Sequence, residues 1–318
     1  MSKFQLQVTV PNELAGKRLD QALSRLCPEH SRSRIQSWIK SDSVSVNNLN
    51  YRQKDEVNFG DVIKINAEIS NVDKYQAEDI DLDIIHEDET IIIINKPAGL
   101  VVHPGAGNPN HTLVNALLSF DKNLDAIPRA GIVHRLDKDT TGIMVVARTL
   151  ESHTFLVKKL QKREIKREYQ AVVCGQLVAG GSIENNMGRH PVHRTRMAVT
   201  NSGKAATTHY RVMKKFQHYT HLHVQLETGR THQIRVHMSH IKHPIVGDPV
   251  YGNNKSIKKG VDPALRDIVK NFKRQALHAF SLELPHPSTG KKMKFIAELP
   301  EDIDSLINAL NQYDSAKQ

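Results

Sequence analysis

His134-Arg135-Leu136-Asp137-Lys138-Asp139-Thr140-Thr141-Gly142 is the stretch on which the fold turns. It lies between two apolar runs, Gly131-Ile132-Val133 and Gly142-Ile143-Met144-Val145-Val146-Ala147, so its charged residues are expected where two buried strands meet. Side chains alternate along a strand. If the first strand persists through Asp137, then Val133, Arg135 and Asp137 share a face, with Arg135 and Asp137 about 7 Å apart. An Arg-x-Asp at a strand end reads either as a salt bridge closing a turn or as a reactive pair, and the rest of the chain decides between them.

Upstream, Ile91-Ile92-Ile93-Ile94 is a strand-length apolar run that Asn95-Lys96-Pro97-Ala98-Gly99 breaks, placing Lys96 at a strand end. Downstream, Glu151 to Leu160 has helical periodicity over Phe155, Leu156 and Leu160, and Tyr169-Gln170-Ala171-Val172-Val173 reads as a strand. A helix starting near Thr231 buries Ile234, Met238 and Ile241, which sets Arg235 at the edge of the core. There it can reach a partly buried anion, and an Arg within ~4–6 Å keeps a carboxylate ionised. Arg230 is the alternative for that role. Asp139 competes with Asp137, and two carboxylates flanking a bond would suit glycoside hydrolysis.

The first seventy residues have a different pattern. Leu19, Ala22, Leu23 and Leu26 follow i, i+3, i+4, i+7, and Ile35, Trp38 and Ile39 repeat it. Val44-Ser45-Val46, a turn at Asn47-Asn48 and a strand over Gly60 to Ile65 complete a small module of two helices and a hairpin. Residues 67–80 are polar, acidic and weakly periodic, as a linker would be. The tail after Pro300 reads as a short polar helix or disorder.

The 318 residues carry 44 Lys and Arg against 34 Asp and Glu, a net charge of +10 that calls for a polyanionic partner. The charge is uneven: between Lys17 and Lys40 there are six basic and two acidic residues, and Asn186 to Phe216 holds seven basic residues and no acid. Contacts to nucleic-acid phosphates account for a stretch without a carboxylate more directly than a salt-bridged surface does. No apolar run approaches the ~20 residues of a membrane helix, and Met1-Ser2-Lys3-Phe4-Gln5 does not begin like a secretory signal, so a cytoplasmic protein is expected. Cys27 and Cys174 are far apart and read as reduced, buried side chains. The 18 histidines include His218, His221 and His223, and His232, His237, His240 and His243, but no Cys or clustered carboxylate joins them and no His-Glu-x-x-His occurs, so no metal is expected.

Three segments, His134 to Gly142, Arg167-Glu168-Tyr169 and Thr228 to His237, are similar to the signature segments of the RluA-type pseudouridine synthases. Asn95-Lys96-Pro97, Gly247-Asp248-Pro249-Val250-Tyr251-Gly252 and Leu277-His278-Ala279 extend the resemblance to about residues 15 to 300. Thr141 stands where that family usually has Ser, which keeps the hydroxyl. Arg18-Leu19-Asp20, Ser31-Arg32-Ser33 and Val44-x-Val46-Asn47 resemble the S4 RNA-binding domain, with Ser43 and Asn48 where Gly is frequent.

The resemblance implies an α+β protein. Its parts would be an S4-like module at 15–66, a linker at 67–80, a catalytic domain at 81–302 on a mixed, mostly antiparallel sheet, and a tail at 303–318. It implies an enzyme that breaks the N1–C1′ bond of a uridine, turns the uracil and joins C5 to the ribose, with Asp137 as nucleophile. Tyr169 would stack on the uracil and take the C5 proton, and Arg235 would keep Asp137 charged. Arg135 would fill the space left by the flipped base, with Lys96 and Arg230 as further substrate contacts. Arg18, Arg32, Arg34, Lys40, Arg189, Arg194 and Arg196 are the expected RNA contacts. No cofactor is required, and the chain is expected to act as a monomer. The implied substrate is large-subunit (23S) ribosomal RNA, at the helix 69 stem-loop. The alternatives are a synthase acting on transfer RNA and a non-catalytic RNA-binding or ribosome-assembly factor.

Overall fold

The computed structural model describes all residues except 1, 29, 31, 70–74, 106, 253–262 and 317–318. The chain forms two compact units, residues 1–74 and 75–318.

The first unit runs β1 (Ser2–Thr9), α1 (Leu19–Leu26), α2 (Arg32–Lys40), β2 (Val44–Val46) and β3 (Val62–Ile69). The two helices bury the stripes read from the sequence, Leu19, Ala22 and Leu23 on α1 and Ile35, Trp38 and Ile39 on α2, in one core with Val44, Val46, Ile63 and Ile65. The sheet order is β1-β3-β2, antiparallel throughout. The strand β1, which the sequence reading did not foresee, pairs along its whole length with β3, Ser2 opposite Ile69 and Thr9 opposite Val62. This unit therefore begins well before residue 15 and takes in the start of the segment read as a linker. Residues 70–74 of that segment lie outside the described residues. Its far end belongs to the second unit, where the Asn115 amide donates to Gln76 O at 2.7 Å and Glu78 N donates to Asn115 O at 3.0 Å.

The second unit contains β4 (Ile84–Glu87), β5 (Ile91–Lys96), α3 (Leu113–Phe120), β6 (Thr141–Ala147), α4 (Leu150–Gln161), β7 (Lys166–Cys174), β8 (Gly181–Arg189), β9 (Met197–Val199), β10 (Lys204–Lys215), β11 (Tyr219–Leu226), α5 (Gln233–His240), α6 (Pro263–Asn271), β12 (Leu277–Pro285), β13 (Lys292–Ile296) and α7 (Glu301–Ser315). Its ten-stranded sheet has the order β4-β5-β6-β12-β7-β11-β10-β8-β9, with β13 on β12, and only β6 and β12 pair in parallel. The sheet is thus mixed and mostly antiparallel, as expected. The unbroken apolar runs of β5 and β6 follow from burial on both faces. Ile92, Ile94, Met144 and Val146 pack with Leu113, Val114 and Leu117 of α3, whereas Ile91, Ile93, Ile143 and Val145 pack with Leu156 of α4.

Two sequence expectations change. The run Gly131-Ile132-Val133 does not form a strand; it follows a tight turn over Pro128–Gly131, and Ile132 makes a single bridge to Val146. The cause is a close approach: Gly131, at φ +77, lies so near the Ala147 carbonyl that a Cβ would stand 2.0 Å from it. Gly142, at φ +114, meets the Ala279 carbonyl in the same way, at 2.2 Å. Residues 133–140 are therefore a loop clamped at both ends. The tail, in turn, is the helix α7, which buries Ile303, Leu306, Ile307 and Leu310 in the main core. Those positions have helical spacing among polar neighbours, an amphipathic stripe that makes the segment part of the fold.

Candidate active site

The loop carrying Asp137 is held from beneath by side chains distant in sequence. Lys96, with 1% of its surface exposed, donates from Nζ to Pro97 O at 2.6 Å, Lys138 O at 2.9 Å and Leu100 O at 3.0 Å. Arg274 donates to Asp139 O at 3.1 Å, and Gln275 donates to the Thr140 hydroxyl at 3.0 Å. The Thr141 hydroxyl lies 2.9 Å from His278 Nδ1. Because His278 Nε2 faces the Ala297 carbonyl at 3.3 Å and must donate to it, Nδ1 accepts and the threonine donates. Both hydroxyls of the Thr-Thr-Gly turn thus have structural partners. His134 likewise accepts from Val145 N at 3.1 Å through Nε2, which requires an unprotonated nitrogen, and burial followed by the Arg167 charge pulls its pKa down to about 3.

Arg235 projects from α5 and is nearly fully buried between two carboxylates. Its Nε and Nη2 donate to Asp248 at 2.7 and 3.0 Å, and its Nη1 donates to Asp137 Oδ2 at 2.8 Å. Asp248 has no exposed side-chain surface and also accepts from Val250 N and Tyr251 N, both at 2.9 Å. Burial alone would raise its pKa, but the bonds and charge of Arg235 and these backbone donors bring it below the usual range. Desolvation would likewise favour loss of the Arg235 proton, yet the two carboxylates raise its pKa. The guanidinium also lies over the Tyr251 ring at 5.1 Å. Asp137 keeps a small exposed surface, 14% of its side chain, and beyond Arg235 it faces the His232 ring, with Nε2 3.8 Å from Oδ1. One carboxylate oxygen is tied and the other is open.

Tyr169 lies on β7, buried among core residues, and its phenol is held neutral first by desolvation, with the Asp137 charge adding to the rise and Arg167 opposing it. Asp137 thus bonds Arg235 and lies within electrostatic reach of the Tyr169 phenol. Arg135 is exposed two residues before Asp137. Lys96 does not face a substrate as the sequence reading had it: its three donor positions are occupied by carbonyls, so it supports the loop. Burial pulls its pKa down to about 7, while Asp139 and Asp137 push it back up. Arg230 is turned toward the sheet, with Nε donating to Ala205 O at 3.1 Å, and the place beside Asp137 is taken by Arg235. Asp248, Tyr251, His232 and Gln275 had no role assigned from the sequence. Asp248 and Tyr251 stood in a quoted motif, but nothing in their spacing shows that they converge on Arg235.

Among the expected RNA contacts, Arg189, Arg194 and Arg196 are exposed together on the β8–β9 hairpin, where Arg189 Nη1 donates to Arg194 O at 2.9 Å. In the first unit, Arg18 Nε and Arg32 Nη2 donate to the buried Asp20 at 3.1 and 2.8 Å, with Gln36 donating at 3.0 Å. Both arginines remain about half exposed, 45% and 55% of their side chains. Lys40 is exposed at the end of α2, and Arg34 is half-buried. Three of the clustered histidines have protein partners: His221 with Gln170 at 2.8 Å, His237 Nδ1 with Thr208 at 2.9 Å and His243 with Cys174 O at 2.8 Å.

A family model described as RNA pseudouridylate synthase matches residues 90–240. The Escherichia coli K12 protein named Ribosomal large subunit pseudouridine synthase D is 52% identical over 309 residues, 97% of this chain and 95% of that protein. The chain belongs to the RluA-type pseudouridine synthases. The Haemophilus influenzae protein of the same name is 50% identical over 311 residues, 98% of this synthase and 96% of its relative. Two human structures share the fold. RNA Pseudouridylate Synthase Domain Containing 4 has a TM-score of 0.58 at 24% identity, over 72% of this chain and 93% of its own. RNA Pseudouridylate Synthase Domain Containing 1 has 0.54 at 21%, over 74% and 96%. As a pseudouridine synthase the protein is an isomerase, and the Asp137 loop lies inside the matched segment. Among the described residues no helix is long and apolar enough to cross a membrane.

Proposed function

We propose that this synthase converts uridines of large-subunit ribosomal RNA to pseudouridine, at the helix 69 stem-loop of the 23S molecule, acting as a monomer in the cytoplasm with Asp137 as nucleophile. The substrate follows the names of relatives about half identical over nearly the full length. The chemistry rests on one observation, the Asp137–Arg235 pair at 2.8 Å with Arg235 itself anchored on Asp248. A guanidinium that cannot swing away fixes Oδ2 of Asp137 in place, and the open Oδ1 is free to react.

A uridine in a stem must leave the stack first, at a cost of a few kcal/mol. The exposed guanidinium of Arg135 fills the gap by stacking and hydrogen bonding. Tyr169 then offers the uracil a flat ring. Breaking N1–C1′ and joining C5–C1′ removes a proton from C5 and leaves one on N1, so the isomerisation exchanges no net proton. Because the Tyr169 phenol is neutral, its oxygen accepts the C5 proton only by passing on its own, which makes it a relay. The S4-like first unit and the β8–β9 hairpin hold RNA phosphates through Arg18, Arg32, Arg34, Lys40, Arg189, Arg194 and Arg196.

The test is to incubate the protein with unmodified large-subunit ribosomal RNA and map pseudouridine chemically, comparing the native chain with Asp137→Asn. The native chain is expected to modify the RNA, and the variant to bind it while losing roughly 10⁴-fold or more in rate. RNA binding without modification by the native chain would mean a non-catalytic RNA-binding factor. Modification confined to transfer RNA would overturn the substrate and keep the chemistry.

A further inference from the structure

The open oxygen of Asp137 faces His232, whose setting goes beyond what a helix start requires. His232 begins α5 in the left-handed region, φ 57 and ψ 23, a conformation His tolerates better than most residues but not for free. It contributes no side-chain cap to the helix. Its ring points to Asp137 on one side, Nε2 to Oδ1 at 3.8 Å, and to Tyr251 on the other, Nδ1 to the phenol oxygen at 2.7 Å. The Tyr251 hydroxyl also accepts from the backbone N–H of Met197 at 2.9 Å.

These contacts determine where the protons are. Met197 N–H can only donate, so the Tyr251 oxygen accepts there and its own hydrogen is free for His232 Nδ1. That leaves the ring hydrogen on Nε2. The opposite tautomer would set a bare nitrogen against the bare oxygen of a carboxylate, so both ends of the ring select the same state. Burial, the largest influence, and the charges of Arg235 and Arg135 disfavour the imidazolium, while Asp137 and Asp248 oppose them; the net shift is downward, which keeps the ring neutral. At 3.8 Å the Nε2–H is too far to occupy Oδ1. It is close enough to meet that oxygen once substrate closes the site, since catalytic hydrogen bonds tighten in the reacting complex. Met197 directly follows Arg196 and opens β9, so the same hairpin that carries Arg189, Arg194 and Arg196 also holds the Tyr251 hydroxyl.

We propose that His232, locked by Tyr251 and the Met197 amide as the Nε2–H tautomer, is a positioning residue that holds the reactive oxygen of Asp137 in line for attack, and that docking of RNA phosphates on the β8–β9 hairpin steadies this lock. The inference rests on the reading of Asp137 as nucleophile.

The experiment measures the single-turnover rate at saturating unmodified ribosomal RNA, and RNA affinity separately, for the full chain and four variants. His232→Asn suits the left-handed backbone but is too short to reach Oδ1, and its rate is expected to fall about 10- to 100-fold with unchanged affinity. His232→Gln restores a donor at the distance of Nε2 and is expected to recover part of the loss. Tyr251→Phe keeps the ring under Arg235 and removes only the hydroxyl; a fall of roughly three- to tenfold is expected, and this variant decides the matter should the His232 variants misfold. A His232→Asn rate within about twofold of native, or a loss confined to affinity, would overturn the proposal, as would a native rate in Tyr251→Phe. Asp137→Asn is the control: activity in that variant sinks the nucleophile assignment, a result distinct from failure of the His232 arm.

Discussion

Both units place a fully buried aspartate behind arginine, but they use the cation differently. In the first unit Asp20 is shared by Arg18 and Arg32, whose guanidinium groups remain about half exposed. In the second unit Asp248 takes two donors of Arg235, and the third donor reaches Asp137 within the protein. The first arrangement stiffens positive charge and presents it to solvent, where a phosphate can replace water at little cost. The second spends the positive charge internally, to hold one carboxylate still. A buried acid is thus a general means of aiming an arginine, and the arginine's exposure decides whether the outcome is binding or chemistry.

The sharpest way to break the comparison is Asp248→Ala. It leaves Arg235 buried with its Nε and Nη2 donors unpaired, and breaking such a pair costs about 3–5 kcal/mol. Urea unfolding should show that loss, and the enzymatic rate should fall with it as Arg235 is released from its anchor. A variant of native stability would mean that Arg235 is not held through Asp248.

Acid tests both acids at once. Burial alone would raise Asp248 and Asp20, yet their arginine partners, with Gln36 for Asp20 and backbone donors for Asp248, bring both below the ordinary value. A carboxylate lowered in the folded state contributes its full stabilisation above about pH 5 and loses it as pH falls through the lowered folded value. The urea midpoint is expected to drop steadily between about pH 5 and pH 2, and to drop less in Asp20→Asn. Equal slopes in the native and variant chains would remove Asp20 from the account.

The smallest effect is expected on RNA binding by Asp20→Asn near neutral pH. The arginines keep their charge and lose their alignment, so affinity should weaken by only roughly two- to fivefold, with an almost unchanged salt dependence. A large change in the salt slope would show that phosphate contacts themselves had been lost.

Much of this arrangement was legible in the chain. The stripes of α1 and α2 announced themselves because each lies within one helix, and Arg235 could be set at the core's edge from Ile234 and Met238 alone. Motif similarity singled out Asp137, Tyr169 and Arg235, and in the fold Arg235 bonds Asp137 at 2.8 Å. What escaped depends on contacts between remote segments. The loop form of residues 133–140 comes from Gly131 pressing on the Ala147 carbonyl at the far end of β6 and Gly142 on the Ala279 carbonyl of β12, which no local pattern encodes. Lys96 looked available because it ends a strand, and only the folded loop supplies the carbonyls that occupy it. Asp248 is 13 residues from Arg235, and its role appears when α5 turns back over the segment that follows. The helix α7 was underrated because four apolar residues in a polar tail become a stripe only once a core is there to meet them.

Lys96 has a further consequence, in reactivity. Its Nζ is engaged by three carbonyls and only 1% of the residue is exposed. An acylating reagent should therefore modify the many surface lysines and leave this one untouched while the Asp137 loop is seated. Once the loop lifts, the burial that lowered its pKa is lost with it and the amine reacts like any exposed lysine, so its labelling would serve as a built-in clock for how often the nucleophile leaves its place.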